Sequence, residues 1–445
     1  MTADALGELL GNLRRVTRRA EVPPALFLGS YPPRECGIAT FMRDVLTSLQ
    51  RVSGMRGDVV AIDPAGVERP YGDEVVGVLR DRDPASYRRV VQLVNEHPAR
   101  LLNVQHEYGL FGGEDGEMLV EALSGIHKPV ALTMHTVLPN PSEHHRQVTR
   151  ELCVRADVVI VLSQTGRRIL EEVYGLEPAR IVVIQHGVPD VGFMPTDALK
   201  AELGFGGRLL VSTFGLISRG KGLEYAIDAL PAIVERHPEV LYLAIGETHP
   251  EVRRQEGESY RESLQERVAE LGLERNVAFV NEYLTLDRLI TYLRATDVYL
   301  TPYLNPVQIV SGTLAYAMGL GKAIVSTPYL YAEELLAHRR GYLAGFRDAS
   351  SIAVQVNRLL DDPGLRRCVE RRAYRFGRQM TWPNVARDYG RLFAELAGTS
   401  RPVFPRAPVP AVPHRPAVTR PSVASALSAR LAPVSLIERE RRVHT

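Results

Sequence analysis

The sequence predicts an α/β protein made of two tandem doubly wound domains, each with a parallel sheet covered by helices on both faces. Three observations carry this. Its 445 residues exceed what one hydrophobic core holds and suit two domains of ordinary size. Short uninterrupted apolar runs alternate with helical segments, the pattern of strands buried on both faces. The alternation stops at Val188-Pro-Asp-Val-Gly-Phe-Met-Pro195 and then starts again.

Residues 1–20 place Leu6, Leu9, Leu10, Leu13 and Val16 at helical spacing, with Arg14, Arg15, Arg18 and Arg19 gathered toward the end. This pattern reads as an amphipathic helix, which either packs on the body or lies on an anionic membrane surface. The next predicted strands are Ala25–Leu28, Asp58–Ile62, Glu74–Leu79, Arg100–Val104, Pro129–Met134, Asp157–Leu162 and Ile181–Ile184, interleaved with helices such as Ile38–Gln50 and Ser142–Val154. Together they define a first domain over 21–190. The second series is Leu209–Phe214, Val240–Ile245, Asn276–Val280, Asp297–Leu300 and Ala323–Val325. With helices Leu223–Glu235, Tyr260–Leu271, Leu286–Ala295 and Ile352–Leu360 it defines a second domain over 205–381. A helix around Trp382–Leu396 closes the folded part. Residues 400–445 read as a disordered tail, because the stretch from Arg401 holds eight prolines and too few large apolar side chains for a core.

Hydrophobic residues at 45% and charged residues at 24% are the proportions of a water-soluble globular chain. No stretch is long and apolar enough to cross a bilayer, and Met1–Ala20 lacks the apolar segment of a secretory signal, which points to the cytoplasm. Peripheral contact with the inner face of the membrane is open to the basic N-terminal helix or to the tail. Cys36, Cys153 and Cys368 show no paired spacing, so buried thiols are expected rather than disulfides or zinc ligands. The net charge of +2 hides a split: from Arg401 on there are eight Arg against Glu438 and Glu440, leaving 46 of the 54 basic and 50 of the 52 acidic residues in the body. A mildly acidic body argues against a nucleic-acid partner.

In open parallel sheets ligands bind beyond the carboxyl ends of strands, so the residues just after each apolar run are the informative ones. The first run leads into a loop where Gly29 comes first, Arg34 lies within and Gly37 opens a helix; the G-x-G-x-x-G order of a dinucleotide enzyme is missing. Two histidines follow neighbouring strands, His106 in Gln105-His-Glu107-Tyr-Gly109 and His135 in Met134-His-Thr136. Such a pair would face one cleft, or either could be an ordinary core histidine. Gly215-Leu-Ile-Ser-Arg-Gly-Lys-Gly222 follows the first strand of the second domain, and Arg219 and Lys221 beside glycines suit a diphosphate, although the P-loop order is absent. Gly246 and Glu282 follow the next two strands, where a base or ribose could lie. The loop carrying Asn305, Gln308 and Ser311 runs into a helix-compatible stretch from Thr313 to Met318. Free amides at its start, with Gly312 permitting close approach, attract phosphate; Ser-Gly-Thr is equally an ordinary cap.

In their order these features resemble the retaining glycosyltransferases of the GT-B fold, the large group-one family (family four), over roughly Ala25–Ala397. The resemblance implies a nucleotide-sugar donor held between two Rossmann-like domains, mostly by the second, with no metal and no cofactor. It implies that Lys221 contacts the diphosphate, that Ser311, Gly312 and Thr313 meet the distal phosphate, that His135 sits beside the transferred sugar, and that Gly37 lines the cleft. Arg34, His106 and Glu107 fall on the acceptor side or in the cleft, and the helix at 382–397 would cross back to the first domain. Two features depart from the family. Its Glu, seven residues, second Glu pattern before Ala-Met is here Gln308 and Tyr316, and Leu216 stands where Arg is common, with Arg219 nearby as a substitute. Gln308 can hydrogen-bond sugar hydroxyls but brings no negative charge to an oxocarbenium-like centre. Tyr316 cannot replace a carboxylate that accepts both ribose hydroxyls.

The resulting expectation is a hexosyltransferase moving mannose or glucose from GDP-mannose or UDP-glucose to a sugar or glycoconjugate acceptor, with retention. GDP-mannose leads, because the Gln-His-Glu-Tyr-Gly and His-Thr segments resemble bacterial mannosyltransferase-like sequences. Two alternatives stand beside it. One is a GT-B-fold glycoside phosphorylase that uses inorganic phosphate in place of the nucleotide. The other is a catalytically silent nucleotide- or sugar-binding protein, which the missing Glu pair would fit.

Overall fold

The structure, a computed structural model, describes residues 22–194 and 196–398. The helix expected at 1–20 and the tail expected at 400–445 lie outside the described residues. The first sheet contains β1 (Ala25–Gly29), β2 (Gly57–Asp63), β3 (Val75–Arg80), β4 (Leu101–His106), β5 (Val130–Met134), β6 (Val158–Val161) and β7 (Ile181–Val183), all parallel, in the order β3-β2-β1-β4-β5-β6-β7. The second contains β8 (Leu209–Phe214), β9 (Val240–Ile245), β10 (Val277–Val280), β11 (Val298–Thr301), β12 (Ala323–Ser326) and β13 (Tyr342–Leu343), again parallel, in the order β10-β9-β8-β11-β12-β13. Each order winds outward from its first strand and then reverses. The reversal opens a crevice between β1 and β4 in one sheet and between β8 and β11 in the other, at the carboxyl ends. This pair of doubly wound domains is the GT-B fold.

Side-chain alternation explains the layers. In β1, Leu26 and Leu28 enter one core with Val60, Val104 and Leu132, while Phe27 enters the opposite core with Val59, Ala131 and Ile160. Strands such as β5 and β9 are buried at every position, as strands covered on both faces must be. The second of these cores is completed by two helices. Gly37–Ser53 contributes Phe41, Val45 and Leu49, and Trp382–Gly398 contributes Tyr389 and Phe393. The latter helix leaves the second domain at Thr381, which bridges to Val188, and sets Phe393 edge-on to Phe27 with ring centres 6.0 Å apart.

Strand β13 escaped the sequence reading. It is two residues long and follows His338 and Arg339, both at positive φ, so no apolar run marks it. The expectation of three buried thiols holds for Cys153 alone: Cys36 is half-buried in the loop ahead of its helix, and Cys368 is exposed on the solvent side of the helix Pro363–Gly377. Among the described residues, no helix is long and apolar enough to cross a membrane.

Candidate active site

The second domain builds its wall from a backbone that turns sharply after β8. Gly215 has φ +133°, a conformation other residues rarely adopt. The single turn Arg219–Lys221 follows, and it ends at Gly222, where a Cβ would lie 2.2 Å from the Pro302 carbonyl. This brings the Lys221 ammonium to 3.9 Å from the centre of the Tyr303 ring. The helix Gly312–Gly319 starts beside it. Ser311 caps that helix by accepting from the Leu314 amide at 3.3 Å, and Thr313 Oγ1 lies 3.1 Å from Ser311 Oγ and 2.7 Å from the Tyr303 hydroxyl. A Cβ on Gly215 would stand 3.3 Å from the Thr313 methyl and 3.8 Å from Lys221 Nζ, so lysine, threonine and turn converge on one point. The Gly312 and Thr313 amides, first in their helix, have no intrahelical acceptor. Among the described residues no carboxylate pairs with Lys221, which leaves a cation and an amide-rich helix start facing the same space.

The other donor candidates of this domain separate from that point. Gly246 packs on it: its φ is +130°, and a Cβ there would meet the Gly215 carbonyl at 2.4 Å. Arg219 turns away, with a side chain 62% exposed, paired with Glu256 at 3.2 Å and lying over the Tyr260 ring. Glu282 is exposed beyond the edge strand β10 and is paired with Arg288. The structure therefore corrects the grouping of Arg219 with Lys221 on a diphosphate, since Glu256 holds its side chain elsewhere, and it sets Glu282, expected where a base or ribose could lie, in an exposed pair with Arg288.

The first domain offers neutral, fixed groups. His135 Nε2 lies 2.8 Å from Gln105 Oε1, so this nitrogen carries the proton. Gln105 donates to Asn103 Oδ1 at 2.6 Å, Asn103 reaches Thr133, and Thr133 meets the Tyr389 hydroxyl at 3.3 Å. This buried chain orients the imidazole, and burial lowers its pKa to about 3. Gly37 is exposed at the start of its helix with open space around it, and Cys36 gives no side-chain cap, so those amides too are free to meet a ligand. Arg34 donates to the Ile62 carbonyl at 3.2 Å. Glu107 accepts from Thr136 Oγ1 at 2.6 Å and from the Tyr108 amide at 3.0 Å, and burial raises its pKa.

His106 corrects the expectation of two histidines facing one cleft. It is 0% exposed, stacks on Phe111, and burial holds its pKa near 3. Alternation is the reason: His106 shares the inner face of β4 with Leu102 and Val104, whereas His135 follows Ala131 and Thr133 onto the face of Asn103 and Gln105.

The two walls touch through Gly312, Tyr316 and Gln308 together with residues that sequence reading missed: His186, Phe41, Asp44, Ile309 and Glu334. His186, after β7, lies edge-on to Phe41 with ring centres 5.1 Å apart, and Phe41 in turn meets the His135 ring at 4.9 Å. A Cβ on Gly312 would fall 2.9 Å from His186 Nε2, so this contact requires glycine. Tyr316 is buried beside His186 and donates to Asp44 of the first domain at 3.4 Å. Burial raises the Asp44 pKa. Gln308 donates to the Val310 carbonyl at 2.8 Å, and its neighbour Ile309 inserts into the first-domain core. Glu334 accepts from the Gln164 and Thr165 amides at 2.9 and 2.8 Å, capping a first-domain helix from the second domain. His186 alone carried a local signal, since it follows a strand as His135 does.

Among the described residues, Glu114, Asp115 and His144 bring metal-type ligand atoms within 4.8 Å of one another. His144 there already bonds Asp115 at 3.0 Å. An interdomain cleft of about 770 Å³ lies beside Gln164, Arg168, Glu334 and Arg340, and none of the donor candidates lines it.

Comparison with known proteins agrees with this architecture. The family model described as Glycosyl transferases group 1 matches residues 196–376, and the one described as Glycosyltransferase Family 4 matches residues 36–190. The lipopolysaccharide core biosynthesis mannosyltransferase LpcC of Rhizobium leguminosarum bv. viciae is 26% identical over 325 residues, 71% of this chain and 85% of that protein. The D-inositol 3-phosphate glycosyltransferase of Corynebacterium urealyticum is 26% identical over 270 residues, 57% of this chain and 61% of that protein. Among solved structures, Anabaena HepE in complex with UDP superposes with a TM-score of 0.66 at 19% identity, covering 84% of this chain and 100% of that one. Sucrose-phosphate synthase from Thermosynechococcus elongatus gives 0.68 at 18% identity, covering 84% and 99%; at such identities the likeness is one of fold. With both halves matched and two facing doubly wound domains in place, the chain belongs to the group 1, family 4 glycosyltransferases.

Proposed function

We propose that this glycosyltransferase moves a hexose from a nucleotide sugar to a carbohydrate acceptor, with retention and without a metal ion. The observation that carries the reading is the convergence of Lys221, Thr313 and the Gly312 helix start beside Gly215. A departing diphosphate gathers negative charge, and an unpaired ammonium with two free amides stabilises that charge more as the bond breaks than before it. The neutral His135, held by Gln105, accepts a sugar hydroxyl on Nδ1 and fixes the hexose without repelling a positive anomeric centre. Gln308, on the loop after β11, and Glu107, just after β4, complete the reading as hydrogen-bonding partners for sugar hydroxyls.

Mannose from GDP-mannose is the leading donor, in keeping with the mannosyltransferase named among the relatives; UDP-glucose is the competing one, in keeping with the UDP complex of HepE. A thermal-shift panel of GDP, UDP, their sugar conjugates and inorganic phosphate tests this. A ligand at 100 times its Kd adds about 2.7 kcal/mol of stability. The expected result is stabilisation by GDP and GDP-mannose above the others. Response to phosphate alone, with sugar phosphate released from a disaccharide, would instead establish a phosphorylase, a reading favoured by Tyr316 in place of a ribose-binding carboxylate.

A further inference from the structure

The helix Pro363–Gly377 carries exposed Arg367, Arg371, Arg372 and Arg375. Arg367, Arg371 and Arg375 recur every fourth residue, so they stand in one row, and Arg372 widens it. Among the described residues none of the four forms an ion pair or a hydrogen bond. Several helices elsewhere neutralise their arginines internally: Arg155, Arg167, Arg254 and Arg267 each pair with a carboxylate on their own helix. The helix Pro363–Gly377 instead gathers four exposed arginines with no such partner among the described residues.

A second observation adjoins it. Tyr374, three residues after Arg371 and directly before Arg375, packs against Phe193 of the interdomain linker with ring centres 5.2 Å apart. The linker is pinned there: Tyr374 donates to the Val191 carbonyl at 2.9 Å, and Arg378 pairs with Asp190 at 2.8 Å. Pinning leaves two consecutive apolar side chains outside, with Phe193 41% and Met194 49% exposed. Large apolar groups beside a band of unpaired cations match a bilayer interface, where arginines meet lipid phosphates and the apolar pair enters the boundary with the acyl chains. A nucleic acid or an acidic polypeptide would satisfy the charge and leave Phe193 and Met194 in water.

We propose that the face formed by Arg367, Arg371, Arg372, Arg375, Phe193 and Met194 docks the protein on an anionic phospholipid bilayer. The inference does not depend on the identity of the sugar donor. The test uses the full chain and vesicles of phosphatidylcholine with or without phosphatidylglycerol. The native tryptophan, Trp382, is single and buried, so Phe193→Trp supplies a local probe. Its emission is expected to shift to the blue with anionic vesicles, to stay unshifted with neutral ones, and to revert at high salt. The triple variant Arg367→Gln, Arg371→Gln, Arg375→Gln is expected to weaken partitioning roughly 100-fold, about fivefold per arginine, while the thermal shift produced by donor nucleotide is retained. Sedimentation with anionic vesicles without a blue shift at position 193 would overturn the proposal, because another basic segment would then be the anchor. So would equal binding of the wild type and Phe193→Ser to heparin and to vesicles, which would mark a polyanion partner instead.

Discussion

The two domains repeat one strand order and furnish their strand ends in opposite ways. The crevice of the second domain presents a lysine with no carboxylate partner among the described residues, lying over Tyr303 and next to a helix start. The corresponding end of the first domain presents imidazoles that burial keeps neutral, His135 near 3 and His186 near 4, the former locked by Gln105. The proposed diphosphate and hexose would make these different demands: a charged leaving group calls for charge, while an uncharged ring calls for donors and acceptors of fixed direction, close to a centre that turns positive as the bond breaks.

The largest expected effect tests the charged wall. Lys221→Ala should lower kcat/KM for the nucleotide sugar by on the order of 10² to 10³, the usual loss when one preorganised electrostatic partner is removed. The melting temperature should barely move, because the contact with Tyr303 contributes only about 0.5–1 kcal/mol. Steady-state kinetics beside a thermal melt measures both. Near wild-type turnover would erase the distinction between the two walls.

The second expectation concerns the seam. Tyr316→Glu restores the carboxylate of related enzymes but places it in a buried site whose hydroxyl now meets Asp44 at 3.4 Å. The new carboxylate would be buried facing that of Asp44, which already holds Arg43 at 3.1 Å, so the variant should lose about 3 kcal/mol of stability and gain no activity. Calorimetry with donor KM decides it. A stable variant that binds donor more tightly would show that Tyr316 is a passive replacement.

Acid should act mainly on the first domain. In an unfolded chain histidine binds its proton near pH 6.5. Folded His106 and His135 stay neutral down to about 3, and His186 down to about 4. Between those limits the unfolded state holds more protons, so stability rises with pH; it is fully present above about 6.5 and is lost as pH falls toward 4. His106→Phe should flatten that dependence by roughly 1 kcal/mol per pH unit, read from denaturant melts between pH 6 and 4.5. An unchanged slope would mean that His106 is already protonated in the folded protein.

Much of this was written locally in the chain, and the exceptions share a cause. The apolar runs gave the strands of both sheets except β13, and Lys221, Ser311, Thr313 and His135 stood out as candidates because each follows a strand or opens a helix within a few residues of it. His106 was misassigned although the alternation held the answer: counting by twos along β4 places Gln105, not His106, on the face that His135 reaches from β5. Asp44, Ile309 and Glu334 could not be found this way. Asp44 is an ordinary polar residue of a helix, Ile309 an ordinary apolar loop residue and Glu334 an ordinary helix acid; each acquires its role only when the two domains meet.

Glu334 tests that meeting with the smallest effect, and here the direction of charge reverses: the second domain supplies an anion to the first. Its two carboxylate oxygens take the Gln164 and Thr165 amides at the start of the helix Gln164–Glu172, where negative charge also favours the helix dipole. Glu334→Gln keeps one acceptor and loses the charge, a change of about 0.5–1 kcal/mol that a global melt hardly registers. Hydrogen exchange reads it locally, because opening of the seam exposes those two amides before either domain unfolds. Exchange at Gln164 and Thr165 should therefore quicken about two- to fivefold while the amides of β8 and β11 keep their protection. Equal protection in the variant would mean that Ile309 and Tyr316 hold the domains together without the ionic cap, and that the charge complementarity of the two walls ends at the donor crevice.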